Sequence, residues 1–326
     1  MPETGGIRCV DAHVAGQAVR LIVEGAPAPE GTDVASRLAH AADHPALENL
    51  RKHLLAEPLG HGGLLGAMLT APGDQAAHAG ILFCDAERWI PASGAGLMAA
   101  IAIALERGLV VTGRGDGVVI VETAAGLIET RAALVDGNVR QVTLACPPAA
   151  IVAGGVAVKA AGRELQADVV ECAGMRAIVD AESVGLVLTQ LDRQRLRQVA
   201  REIVRSLPSR PVNRLSEILF TGPAGERADM RIVAATPWGR VERSPGGFGT
   251  AAVMAVLDAM GFVGDDRALV FEGPANGTFE ARIESRTGDR GAEGASVSVS
   301  VTGRPWITGD HSFVINEGDA LAPFIL

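Results

Sequence analysis

Two stretches of this chain are apolar on nearly every side of a helix, and both begin in the same unusual way. "SGAGLMAAIAIALERGLV", residues 93–110, returns as "GGFGTAAVMAVLDAMGFV", residues 246–263. At a constant offset Gly94 falls on Gly247, Gly96 on Gly249, Ala99 on Ala252, Ala102 on Ala255, Gly108 on Gly261 and Val110 on Val263. A helix without a polar stripe has to be covered all round. Wrapping it in a curved β-sheet is one way to do so, and a phrase spoken once in each half points to two related halves. The expected fold class is therefore α/β (α+β), with two similar units, each a curved β-sheet around a buried helix.

The rest of the chain suits that reading. Short β-like runs separated by Gly and Pro dominate. "GVVIVETAAGLIETRAALVDG" predicts two strands and a turn, "RIVAATPWGRVE" and "GASVSVSVTG" predict strands, and "GRPWITGDHSFVI" predicts a further pair. "GTDVASRLAHAADHPALENLRKHLL" is helical but broken at Pro45. "QLDRQRLRQVAREIVRSL" is an amphipathic helix with Leu191, Leu196, Val199 and Ile203 on one side. The first unit is placed at 1–130 and the second at 131–301. The last strands, about 302–326, have no counterpart after the second unit and are expected to complete the first.

Composition excludes several classes of partner. The net charge is −9 over 326 residues, without a long basic run, which argues against nucleic acid and anionic membranes. Aromatic residues make up 3% and Tyr is absent, so the usual stacking platforms for bases are missing. The four cysteines, Cys9, Cys84, Cys146 and Cys172, are widely spaced and form no zinc-type pattern, so no metal is expected. No leader pattern and no apolar run of membrane-spanning length is visible. A cytoplasmic protein with free thiols is the expectation.

Gly-x-Gly at a helix start lets the backbone approach a ligand closely. The first turn carries free N–H groups and a partial positive charge, so it holds an anion such as a carboxylate. Two copies related by a pseudo-twofold would cradle one small carboxylate in a cleft between the units. The side chain before each Gly-x-Gly would then reach opposite faces of the ligand.

Further motifs carry a resemblance. "DAHVAGQAVRLIVEGAPAPEG", "EPLGHGGLLGAMLT", "ETAAGLI", "ERSPGGFGTAA", "FEGPANGTFEARI" and "WITGDHSFVI" resemble, in order and over essentially the whole chain, segments of the proline racemase superfamily. That family contains proline racemases, 4-hydroxyproline epimerases and trans-3-hydroxyproline dehydratases. The resemblance implies a diaminopimelate-epimerase-like fold with its active site in the cleft between the units, and chemistry without a cofactor. It further implies a small-molecule amino acid as partner, with homodimerisation left open.

The chain departs from the family where the chemistry sits. The family phrase Met-Cys-Gly-His-Gly reads Ala92-Ser93-Gly94-Ala95-Gly96, and Asp-Arg-Ser-Pro-Cys-Gly-Thr-Gly-Thr reads Glu242-Arg243-Ser244-Pro245-Gly246-Gly247-Phe248-Gly249-Thr250. Family members use the two Cys as acid and base on opposite faces of Cα, and the His and Asp to hold the substrate amine. A thiol near pKa 8.5 serves either role, whereas serine needs activation and Gly246 offers nothing. Elimination of water from a β-hydroxy amino acid needs only one base, so dehydration is the favoured expectation. Epimerisation or racemisation is one alternative, and a non-catalytic binder of a small amino acid or carboxylate is another. The implied site has Ser93 and Glu242 as catalytic residues and Gly94, Gly96, Gly247, Gly249 and Thr250 as the carboxylate cradle. Asp11 and His13 read as structural hydrogen-bonders; His61 and His311 fall in family-like motifs and could line the cleft, with the structural reading preferred for both. Cys84 and Cys172 read as buried thiols, with Cys172 also a candidate replacement for a lost catalytic thiol. Glu242 is the only acidic residue close in sequence to either cradle.

Overall fold

Two positive-φ residues, Ala15 at 49° and Gly16 at 86°, turn β1 (Ile7–Val14) back on β2 (Gln17–Glu24) in a tight antiparallel hairpin. The computed structural model describes residues 6–111, 117–190, 192–208, 215–264, 267–292, 294–314 and 323. The chain divides into two units, Met1–Val142 with Arg304–Leu326, and Thr143–Gly303.

In the first unit β2 is followed by α1 (Val34–Asp43) and α2 (Pro45–Leu55). Asp33 and Ser36 form a reciprocal cap at the start of α1, and Pro45, at the first position of α2, separates the two helices. The chain then runs β3 (Leu65–Thr70), β4 (Ala79–Cys84), the short β5 (Trp89–Ile90), α3 (Gly94–Glu106), β6 (Val118–Thr123) and β7 (Gly126–Val135). β2 and β3 pair parallel, β3 and β4 antiparallel, β4 and β6 parallel, and β6 and β7 antiparallel. Every residue of α3 from Gly94 to Ala104 is buried. The helix lies against β1, β2, β3 and β7, as a helix without a polar face must. α1 and α2 cover the other side, where Leu47, Leu50, Leu54 and Leu55 join Cys9, Ile22 and Met68.

After β8 (Asn138–Ala145), the second unit contains β9 (Ala149–Ala160), β10 (Arg163–Glu171), β11 (Met175–Asp180), α4 (Arg193–Ser206), β12 (Leu215–Gly222) and β13 (Met230–Ala235). It continues with α5 (Gly247–Ala259), β14 (Leu269–Glu272), β15 (Thr278–Thr287) and β16 (Ser296–Gly303). From β10 to β15 the pairing runs antiparallel, parallel, antiparallel, parallel, antiparallel. The first unit shows the same succession from β1 to β7 when β5 is passed over. In both, the buried helix fills the second parallel crossover, so the repeated phrase marks one repeated supersecondary unit. β16 pairs with β15 and also with β9, which itself pairs with β10. The ladder of the second unit thereby returns to its start around α5. α4 is amphipathic as expected, with Leu196, Val199, Ala200 and Ile203 buried. Position 191 lies outside the described residues.

The segment read as a final pair is a single strand, β17 (Pro305–Phe313), which pairs antiparallel along the whole of β1. A bulge between the pairs Asp11–Gly309 and Ala12–Ile307 leaves Thr308 unpaired and lets the run continue as one strand.

A buried carboxylate ties the first unit together. Glu122 at the end of β6 accepts from the backbone N–H groups of Val34 (3.0 Å), Gly73 (2.5 Å) and Asp74 (2.9 Å). Burial alone pushes its pKa up, but these three donors outweigh it and hold the carboxyl below the usual value. Its stabilisation is thus complete above the ordinary carboxylate range and is lost as pH falls through the depressed folded-state pKa. Glu122→Gln is expected to cost about 1–3 kcal/mol near neutrality. Urea denaturation at stepped pH should show the gap between variant and wild type closing as acid is added.

Candidate active site

The starts of α3 and α5 are buried helix ends, and their N–H groups are only partly used. In α3, Leu97 N–H bonds Ser93 O at 2.8 Å and Gly96 N–H bonds Ser93 Oγ at 3.1 Å. Ser93 is therefore the N-cap, in extended conformation. The Gly94 and Ala95 N–H groups are left for a ligand or water. Gly96 is required by packing, because a Cβ there would come within 2.9 Å of Phe83 Cε1 and 3.0 Å of Ser93 Cβ.

The start of α5 is barer. Its first backbone bond is Thr250 N–H to Gly246 O at 2.8 Å, and no side chain caps it. Gly247, Phe248 and Gly249 thus present N–H groups without a helix partner, and all three residues are buried. Thr250 is fully buried as well, and its Oγ1 has no hydrogen-bond partner. Buried hydroxyls are nearly always satisfied, so this orphan beside free N–H groups makes the start of α5 a candidate ligand position. Gly246 itself has φ +78°, a conformation L side chains rarely adopt. The turn in front of α5 is built for glycine.

That turn is buttressed from behind. A Cβ on Gly273 would lie 2.6 Å from Ser244 C and 2.7 Å from Pro245 N, so the "FEGPANG" loop fits flush under "RSPGG". Arg231 clamps the loop, pairing with Glu272 at 2.7 Å and donating to Gly273 O at 3.1 Å and Asn276 Oδ1 at 3.0 Å.

Ser93 Oγ is bonded to the Gly96 N–H and, among the described residues, to no carboxylate or imidazole. Glu242 is buried, with Oε1 2.6 Å from Arg240 Nη1. Its charge is already matched by a neighbour two residues away. Glu242 is also not alone near the second start. Glu217, on β12, brings Oε2 to 3.9 Å from where a Gly249 Cβ would stand, and pairs with Arg176 of β11 at 2.7 Å. Sequence distance hid this pair. The available signal was a charged residue in each of two apolar strand runs, "MRAIVD" and "LSEILF".

Of the remaining motif residues, Asp11, Arg20 and His311 form one polar network, whereas His13, expected as a hydrogen-bonder, has a buried Nδ1 without a hydrogen-bond partner. Arg20 is buried and grips Asp11 with two bonds, at 2.9 and 2.8 Å, while donating to Leu54 O at 2.6 Å and Leu59 O at 2.8 Å. Position 59 contributes its carbonyl to this network. His311 Nε2 lies 3.3 Å from Asp11 Oδ2. Asp11, His13, Arg20 and His61 line one cavity of about 320 Å³ in the first unit. Among the described residues no group of three or more His, Cys, Asp or Glu side chains has the arrangement to hold a metal ion, and no helix is long and apolar enough to cross a membrane.

All four thiols are buried and unpaired. Burial pushes Cys172 up to about 11 despite the adjacent Arg176, and its Sγ donates to Pro147 O at 3.3 Å. Burial raises Cys84 and Cys146 further still. Cys172 lacks the thiolate character of a replacement base. A chromogenic disulfide reagent at pH 8 is expected to titrate all four thiols only after unfolding; rapid reaction of one thiol in the native protein would contradict this.

With this geometry in view, comparison with known proteins is specific. A profile of the family described as proline racemase matches residues 9–324. A trans-3-hydroxy-L-proline dehydratase of Bacillus cereus is 31% identical, with 96% of this chain and 95% of that protein covered. A proline racemase of Clostridioides difficile is 29% identical over 98% of both. The solved structure of a hydroxyproline epimerase from Agrobacterium vitis, with bound trans-4-hydroxy-L-proline, superposes with a TM-score of 0.85 at 25% identity, covering 98% of this chain and 94% of that one. Glycine-opened buried helices, repeated strand order and full-length similarity agree: the chain belongs to the proline racemase family.

Proposed function

We propose that the chain acts at Cα of a proline-like amino acid, and that its reaction is dehydration of a β-hydroxylated ring, as in a trans-3-hydroxyproline dehydratase. The observation that carries this reading is the pair of buried helix starts with unspent N–H donors, joined in α5 by the unpartnered Thr250 hydroxyl. Such groups suit the carboxylate shared by all these amino acids. The similarity to a dehydratase, a racemase and an epimerase supports the substrate class.

Dehydration is favoured over racemisation because the two helix starts are chemically unequal. Racemisation needs a proton donor and a proton acceptor on opposite faces of Cα. Gly246 supplies neither, and its left-handed backbone disfavours any side chain. Elimination asks less. Ser93 Oγ, as the alkoxide, takes the Cα proton, the C–H electrons form the Cα=Cβ bond as the Cβ–O bond breaks, and the departing hydroxide takes a proton from solvent to leave as water. Ser93 returns its proton to solvent, and the enamine product tautomerises to the cyclic imine. The Gly96 N–H and the positive end of α3 both favour negative charge on Ser93 Oγ. Glu242, held by Arg240, serves the substrate amine. In this reading Gly94, Gly96, Gly247, Gly249 and Thr250 hold the carboxylate.

One observation favours a second reading. Ser93 has no base bonded to it among the described residues, so a chain that binds the amino acid without turning it over fits equally the loss of both family thiols.

Incubation with trans-3-hydroxyproline, trans-4-hydroxyproline and proline in D2O separates the two. The proposal expects imine from the 3-hydroxy isomer, and Ser93→Ala should lose it while binding survives; binding of all three with neither imine nor Cα exchange would establish the binder. Thr250→Val supplies an independent check on the cradle. It removes a buried unsatisfied hydroxyl, so the free protein should be as stable or up to about 1–3 kcal/mol more stable, while amino-acid binding weakens. Unchanged binding would take Thr250 out of the site.

A further inference from the structure

We infer that Arg176 and Glu217 read a hydroxyl on the substrate ring and so set the preference for hydroxylated over plain proline; the inference rests on the functional reading above. The two residues are register partners on the parallel strands β11 and β12. Their side chains are 5% and 13% exposed, and Arg176 Nε meets Glu217 Oε2 at 2.7 Å. They flank the first turn of α5. Glu217 Oε2 is 3.9 Å from the Cβ position of Gly249, and the Arg176 guanidinium is 5.8 Å from the Phe248 ring centroid.

Fold alone does not call for an ion pair here. Neighbouring positions of both strands, Ala177, Ile178, Ile218 and Leu219, are buried and apolar. An apolar pair of similar volume is generally as stabilising as a buried ion pair, or more so. The pair is also not closed on itself. Arg176 Nε is used by Glu217, and Nη1 donates to Cys172 O and to Gly174 O. Among the described residues, Arg176 Nη2 and Glu217 Oε1 have no hydrogen-bond partner.

What remains is one donor edge and one acceptor edge on a pair of zero net charge, next to the helix start assigned to the substrate carboxylate. A ligand carboxylate would be repelled by Glu217 and an ammonium by Arg176. A hydroxyl suits both, because it donates one hydrogen bond and accepts another. A site built to hydrogen-bond a substrate hydroxyl rejects an analogue that lacks it far more strongly than an apolar pocket rejects an extra group.

The test compares dissociation constants for proline, trans-3-hydroxyproline and trans-4-hydroxyproline, measured by calorimetry on wild type and on Arg176→Met/Glu217→Leu. The double variant removes both charges, so no lone buried charge is left to unfold the unit. Wild type should prefer one hydroxylated isomer over proline, and the variant should lower that preference by about 10-fold or more, the scale of one charge-assisted hydrogen bond. The isomer affected identifies the ring position that is read. A preference ratio unchanged in the variant would make the pair purely structural and overturn the inference. Wild type binding none of the three would overturn the functional reading first and this inference with it. Should the double variant not fold, Glu217→Gln keeps the side chain's size and a partner for Arg176, and the same ratio decides.

Discussion

Two helices without a polar face impose most of what this protein is. Gly94–Ala104 and the corresponding run of α5 are buried almost throughout, so each helix needs strands on all sides and a crossover that delivers it into the middle of them. That requirement accounts for the same order of parallel and antiparallel pairings in both units. It also has an electrical consequence. Burying a whole helix buries its N-terminus, and the first-turn N–H groups then need partners that the strands do not provide. A family that carries this motif twice therefore carries two anion-seeking ends as part of its architecture, before any catalytic side chain is chosen.

The side chains at the two helix starts are not alike. The two helix starts have diverged in kind. Ser93 is an ordinary N-cap whose hydroxyl already receives a hydrogen bond, whereas Gly246 is a bare turn at positive φ. One start carries a hydroxyl and the other no side chain at all. Two buried ion pairs lie in the same unit as the start of α5: Glu242 with Arg240, and Glu217 with Arg176. Two of these four, Arg176 and Glu217, lie on strands β11 and β12, and the other two, Arg240 and Glu242, lie between β13 and α5.

How far this was legible in sequence follows from what each feature depends on. The wrapped helices could be read because total apolarity is local, and the repeat because two local phrases match. Pro45 separates two helices, a short-range effect. The pairing of β17 as one strand along β1 was not legible, since it depends on partner register, with a bulge that leaves Thr308 of β17 unpaired between Gly309 and Ile307. Glu217 was missed for a related reason: only strand register brings it beside Arg176 and Gly249. Arg240 was overlooked as the counter-ion of Glu242 because a turn, not a periodic element, sets the two side chains together.

The central proposal is that the backbone N–H groups at the helix starts hold the substrate carboxylate. It is tested most directly by amide NMR on 15N-labelled protein titrated with trans-3-hydroxyproline and, separately, with its carboxamide. The account predicts that the Gly94, Ala95, Gly247, Phe248 and Gly249 amides shift together with a single dissociation constant for the acid, and stay in place with the carboxamide. Shifts confined to one helix start, or equal responses to acid and carboxamide, would contradict it.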